Sequence, residues 1–149
     1  MFTSQSIQDY HKIDRILYQD ADFIYLLPHV SLRRWISNYS ITFPHPNMMS
    51  EQYTVMPHGS TTLVFSIDSG NINSNFFGPI TSPANVGHNI NSYTLIFIIE
   101  FQPAGYYAFN NVPQKELTNL VQPFIEIDSS LHRLITEYLE TAQDIDTFI

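Results

Sequence analysis

The first 27 positions carry no clean hydrophobic period, and only Asp22 to Leu27 (DFIYLL) reads as a short strand, ended by Pro28. From His29 onward Leu32, Trp35, Ile36 and Tyr39 recur at helical spacing. Tyr39, Ile41 and Phe43 then recur at spacing two, which predicts a helical turn passing into a strand. Two prolines in Pro44-His45-Pro46-Asn47 mark a turn. Glu51 to Met56 reads as a strand with Tyr53 and Val55 on one face. Pro57-His58-Gly59 breaks it, and Thr61 to Ile67 resumes with Leu63, Phe65 and Ile67 on one side, so these two strands are expected to pair as a hairpin. Asp68-Ser69-Gly70-Asn71 predicts a second turn, and Asn75 to Pro79 a further strand. Tyr93 to Phe101 is the strongest strand: Tyr93, Leu95, Phe97, Ile99 and Phe101 share one face, while Ile96 and Ile98 make the other face apolar too. A strand apolar on both faces belongs inside the structure, between two layers.

After Pro103-Ala104-Gly105 the period changes. Pro113 to Leu120 predicts a short helix with Asn111 as its cap. Ser129 to Ala142 predicts a longer one, capped by Asp128 or Ser129. Leu131, Leu134, Ile135, Tyr138, Leu139 and Ala142 form a single apolar stripe along it. Strands first and helices last indicate a mainly β, α+β domain with a helical appendage, not an alternating α/β fold.

A length of 149 residues suits one domain over 1–149, and the 44% apolar content supplies a core without staples. Cysteine is absent, which excludes disulfides and thiolate metal sites and fits a reducing cytoplasm. The opening residues show no basic run followed by an apolar stretch, and the most apolar run, Leu95 to Ile99, is far short of the ~20 residues a membrane helix needs. Six Lys and Arg against a net charge of −8 leave no basic face for phosphate binding, so the chain is not expected to bind nucleic acid by itself.

Several short motifs in order resemble the amino-terminal domain of one subgroup of AraC-type bacterial transcription regulators. They are Pro28 with Leu32, Ile36 and Tyr39; Val55-Met56-Pro57-His58-Gly59 followed by Leu63-Val64-Phe65; Gly78-Pro79; Glu100-Phe101-Gln102-Pro103-Ala104-Gly105; and Glu116-Leu117-Thr118-Asn119. The resemblance covers about residues 25–130. His58 stands where the pattern usually has an acid, Gln102 where a basic residue is common, and Ala104 in place of a glycine. The resemblance implies a cupin-like β-barrel or jelly-roll core over about 22–105 with C-terminal amphipathic helices over about 111–149. It also implies effector sensing, self-association as a homodimer, or both. DNA would be reached only through a C-terminal helix-turn-helix domain that this chain does not include, and a regulator cut before that domain is the expectation. A free-standing structural interaction domain without ligand is the alternative, and a small cupin-like enzyme a further one.

The candidate chemistry is sparse. The histidines His11, His29, His45, His58, His88 and His132 include no His-x-His pair, so neither a metal site nor a cofactor is expected. No nucleophile elbow and no phosphate loop occur, so no catalytic residue is assigned. Glu100 falls on the face of Ile96 and Ile98, where a carboxylate either holds a ligand donor or reaches solvent at the rim. With it, Phe65, Phe77 and Phe97 are the candidate ligand-binding residues, either lining a pocket for an apolar effector or serving as plain core. The stripe residues Leu131, Leu134, Ile135 and Tyr138 are the candidates for self-association, either packing on their own core or pairing with a second copy.

Overall fold

The computed structural model describes residues 1, 3–45, 54–55, 59–85 and 93–149. Seven strands form one antiparallel sheet: β1 (Ile16–Gln19), β2 (Phe23–Leu26), β3 (Ile36–Thr42), β5 (Thr62–Asp68), β6 (Asn71–Phe77), β8 (Leu95–Phe101) and β9 (Val121–Pro123). Their spatial order is β1-β2-β3-β8-β5-β6-β9. Two short strands, β4 (Thr54–Val55) and β7 (Ala84–Asn85), pair separately. The helices are α1 (Ser4–Gln8), α2 (Tyr107–Asn110), α3 (Gln114–Leu117), α4 (Phe124–Ile127), α5 (Ser129–Thr141) and α6 (Ile145–Phe148).

The register explains the core. Partners across the ladders put Ile16, Leu26, Tyr39, Ile99, Leu63 and Phe76 in one row. Ile24, Ile41, Phe97, Phe65 and Ser74 form the next row on the same face. All of these are buried except Ile16, which is half-buried. Period-two alternation delivers one apolar residue per strand to this inner face, and the helices close over it. Phe124 of α4 meets Phe65 edge-on with ring centroids 6.1 Å apart and stacks near Phe76 at 6.5 Å. Tyr106 sits against both Phe76 and Phe101. At the β1 end, the Gln19 side-chain amide donates to the Ile7 carbonyl of α1, and Lys12 pairs with Asp146 of α6. The outer face is buried at its centre as well, through Ile96, Ser66 and Ser40, as the doubly apolar β8 requires.

The α+β class with C-terminal helices is what the sequence pattern predicts, but the sheet is not closed into a barrel. β1 and β9 are its two ends and do not pair with each other. Alternation tells a strand which face is inner; it carries no information on whether the end strands meet, which depends on tilt and stagger. The expected hairpin between 51–56 and 61–67 does not form either. β4 pairs with β7, Thr54 opposite Asn85, while β5 takes β6 and β8 as neighbours. The sheet also extends beyond 22–105 at both ends, to Ile16 and Pro123. Asn111 has φ +55° and closes the C-terminus of α2, rather than capping the helix after it. Two further expectations hold: Ser69 and Gly70, at φ +51° and +84°, make the two-residue turn between β5 and β6, and α5 is capped by Asp128, whose carboxylate accepts from the Leu131 amide at 3.0 Å.

Three of the sequence motifs are backbone clasps. Gly78 lies so close to the chain that a Cβ there would stand 1.8 Å from the Leu117 carbonyl oxygen, and its amide donates to the Leu120 carbonyl. Asn119 answers from the other side: its amide donates to the Pro79 carbonyl, and its side chain bonds both the amide and the hydroxyl of Thr81. Gly78-Pro79 and Glu116-Leu117-Thr118-Asn119 are therefore the two halves of one junction, which holds β9 beside β6. Gly105 likewise leaves room for the Trp35 carbonyl, 2.1 Å from where a Cβ would sit, and that carbonyl accepts from the Gln102 amide. Ala104 occupies the left-handed region at φ +61°, which glycine adopts without steric cost.

Candidate functional site

An apolar groove of about 200 Å³ runs between the inner face of the sheet and the C-terminal helices. Its floor is Leu63, Phe97 and Phe101, with Tyr39 and Ile99 beside them. Leu32 and Ile36 form one wall; Leu131, Leu134, Ile135 and Tyr138 of α5 form another, and Phe148 and Ile149 close an end. At the mouth, Phe109, Leu134 and Tyr138 are 39%, 49% and 51% exposed, against 0% for Leu63 and 3% for Phe97. The groove thus grades from a dry floor to an open rim, a form suited to a small apolar ligand. Among the described residues that line it none has a charged side chain, and Tyr39 and Tyr138 are the ones with a polar group on the side chain. Burial raises the pKa of Tyr39 above its ordinary value, with the Arg15 guanidinium opposing, so this phenol stays protonated and can donate at neutral pH.

The structure divides the expected ligand residues between two faces. Phe65 and Phe97 are cross-strand neighbours on the inner face, ring centroids 6.2 Å apart, but only Phe97 reaches the groove; Phe65 is fully buried beneath α4 and α5. Phe77 and Glu100 lie on the outer face, each opposite Thr62. Glu100 accepts a hydrogen bond there from the Asn38 side chain at 3.3 Å. The four do not form one site, because residues 97 and 100 differ by an odd number on one strand and so point to opposite sides. The α5 residues Leu131, Leu134, Ile135 and Tyr138 all meet along the groove, joined by Leu32, Ile36, Tyr39, Phe109 and Phe148, which come from four other segments.

What docks α5 on the sheet includes one polar contact. Ser74 is the hydroxyl at the end of an otherwise apolar inner row, and its Oγ lies 2.6 Å from Nδ1 of His132 on α5. The His132 ring stacks on Phe65 at 6.2 Å and stands edge-on to Phe124. Burial lowers its pKa, so the imidazole is neutral at physiological pH. Nothing local in the sequence marks His132, because its position on α5 opposite a serine on β6 is a long-range pairing. His58 and His88 lie outside the described residues, and among those described no group of three or more His, Asp or Glu is placed to hold an ion.

Among the described residues no helix is long and apolar enough to cross a membrane. No curated protein and no solved structure matches the chain. The stretch from residue 25 to 123 holds β3 to β9 and both glycine clasps; it matches the family described as Domain of unknown function (DUF6597), and the chain belongs to that family.

Proposed function

We propose that this chain is the regulatory domain of an AraC-type transcription regulator, working in the cytoplasm, with the apolar groove as its sensing site. The observation that carries the reading is a groove with a dry floor and an open rim, one wall of which is the last long helix. A ligand seated there touches the sheet and α5 together, so its binding energy depends on where α5 sits. A ligand shifts an equilibrium only by such differential contact. The chain does no chemistry of its own in this account: it binds, and the position of α5 passes occupancy to a second copy and to a DNA-binding domain elsewhere on the polypeptide. Its jelly-roll kinship, here as an open sheet, belongs to the same reading. Self-association without a ligand is the second reading, supported by the half-exposed Leu134 and Tyr138 on one helix.

Thermal unfolding with and without small apolar compounds, read beside light-scattering mass, tests the proposal. A ligand at 100 times its Kd adds about 2.7 kcal/mol to stability. That corresponds to a rise in Tm of roughly 5–10 °C for a chain of this size. A rise accompanied by a ligand-dependent change in mass supports the regulatory reading. A constant dimer with no ligand-dependent rise for any compound supports the interaction-domain reading instead.

A further inference from the structure

Two edge-on aromatic pairs frame the groove. Phe97 and Phe101 stand on the inner face of β8, on either side of Ile99, and each meets a ring from the C-terminal part of the chain. Phe148 of α6 meets Phe97 with centroids 4.7 Å apart and planes at 72°, and Phe109 of α2 meets Phe101 at 5.4 Å and 71°. Residues four apart on a strand are roughly 13 Å apart, so the two pairs bound a stretch of floor centred on Ile99. Its register partners Tyr39 and Leu63 complete that stretch from the neighbouring strands. Ile99 and Tyr39 are each 7% exposed, more than Leu63, Phe97 or Phe101, so the space opens over the middle of the floor. Phe148 is held at the closed end by its own helix. Ile145 is buried, Asp144 caps α6 by accepting from the Thr147 amide at 2.7 Å, and Asp146 pairs with Lys12.

We infer that the groove takes a neutral ligand built on one aromatic ring, seated over Ile99 between the two pairs, and that Phe148 sets the limit on its length. Aromatic rings pair with centroids ~4.5–7 Å apart, so a single ring midway along a span of ~13 Å pairs with both ends. Volume agrees: an apolar cavity of about 150 Å³ holds a benzene ring. The groove, at about 200 Å³, adds room for a short arm and none for a second ring. Charge decides the rest. Among the described residues that line the groove none is charged, so an anion seated there gives up water without gaining an opposite charge. This inference rests on the sensing-site reading above and assigns its ligand class and the residue that limits it.

Four water-soluble probes test it by amide-detected NMR titration of the whole chain: p-cresol, 4-methylcyclohexanol, benzoate and 2-naphthol. p-Cresol is expected to bind roughly 2- to 12-fold more tightly than 4-methylcyclohexanol, the worth of an aromatic pair beyond its area. Benzoate should bind at least ~10-fold more weakly than p-cresol, as an uncompensated carboxylate. 2-Naphthol, although more apolar, should also bind more weakly than p-cresol, and the largest amide shifts should fall at Ile99 and Phe148. Phe148→Ala opens the closed end and should reverse the order of 2-naphthol and p-cresol. If that variant fails to fold, Phe148→Leu shortens the same wall and should narrow the difference. Binding of the aliphatic ring or the anion as tightly as p-cresol, or shifts centred elsewhere, would overturn the ligand class and leave the question of sensing to other compounds. A size order that neither Phe148 variant changes would overturn the role of Phe148. Binding of none of the four would remove the sensing-site reading together with the inference.

Discussion

Replacing Ser74 with alanine removes the hydroxyl that His132 meets across the interface between α5 and the sheet. The contact is 2.6 Å long, and Ser74 is 6% exposed, so water does not substitute on the serine side. The imidazole is left with Nδ1 facing Phe65 and Phe124 and no partner. An unsatisfied buried group costs about 1–3 kcal/mol, and because His132 is only half-buried and can turn toward solvent, the lower half of that range, ~1–2 kcal/mol, is expected. For this chain length that is a fall in Tm of roughly 3–6 °C. Urea unfolding should show a lower midpoint at constant slope. Adding His132→Leu to Ser74→Ala should restore most of the loss, since an apolar pair leaves nothing unsatisfied. The pH dependence has a fixed sign. Burial lowers the native pKa of His132, so the unfolded chain takes up the proton first. The stability this residue contributes is complete above the unfolded value near ~6.5 and is lost as pH falls through the native one. His132→Leu should remove that acid-side decline. A neutral Ser74→Ala, or an unchanged acid slope in His132→Leu, would refute the claim that this contact fastens α5.

The glycine clasps make sharper demands. Gly78→Ala and Gly105→Ala each drive a methyl group into a backbone carbonyl, Leu117 and Trp35 respectively, and are expected at or above the upper end of the ~1–3 kcal/mol typical of overpacking, measured by urea unfolding. Ala104→Gly goes the other way: relieving a left-handed alanine should gain up to ~1 kcal/mol, visible as a higher Tm. Leu134→Lys alters a half-exposed side chain at the groove mouth, so stability should stay within about 0.5 kcal/mol while ligand affinity, and any association through α5, falls in titration and light scattering.

Legibility in the sequence followed the range of the interaction. β3, β5, β8 and α5 were readable because each carries its own period over seven residues or more. The turn at Ser69-Gly70 was readable because two successive positive φ angles favour that chemistry. β1 was not, since Leu17 and Tyr18 face solvent on an edge strand and the inner-outer alternation is lost. β9, at three residues with a proline, and the four-residue helices α2, α4 and α6 are shorter than any period that would announce them, whereas α3 falls within the helix expected over Pro113 to Leu120. The groove was half-legible. Phe97 and the α5 stripe stood out locally, whereas Leu32, Phe109 and Phe148 join them only through the tertiary fold. Parity along β8 already separated Glu100 from Phe97, and the Asn38–Glu100 bond follows from that separation.

The central ladder joins β3 to β8, with Ile36 opposite Phe101 and Ile41 opposite Phe97, while β4 to β7 lie between them in the chain. In kinetic terms this makes the middle of the sheet the last part that can be nucleated. Loop closure over that span must come before any reward from pairing. The β5–β6 hairpin, closed by a two-residue turn, can form early and offer β8 a template on one edge; β1, β2 and β3 must then dock as a second unit onto the far edge of β8. A nascent chain that has not yet released Phe101 therefore carries β3 with an unpaired edge and an apolar inner row. Folding of this domain should be slow for its size, and its incomplete forms should be the ones that associate.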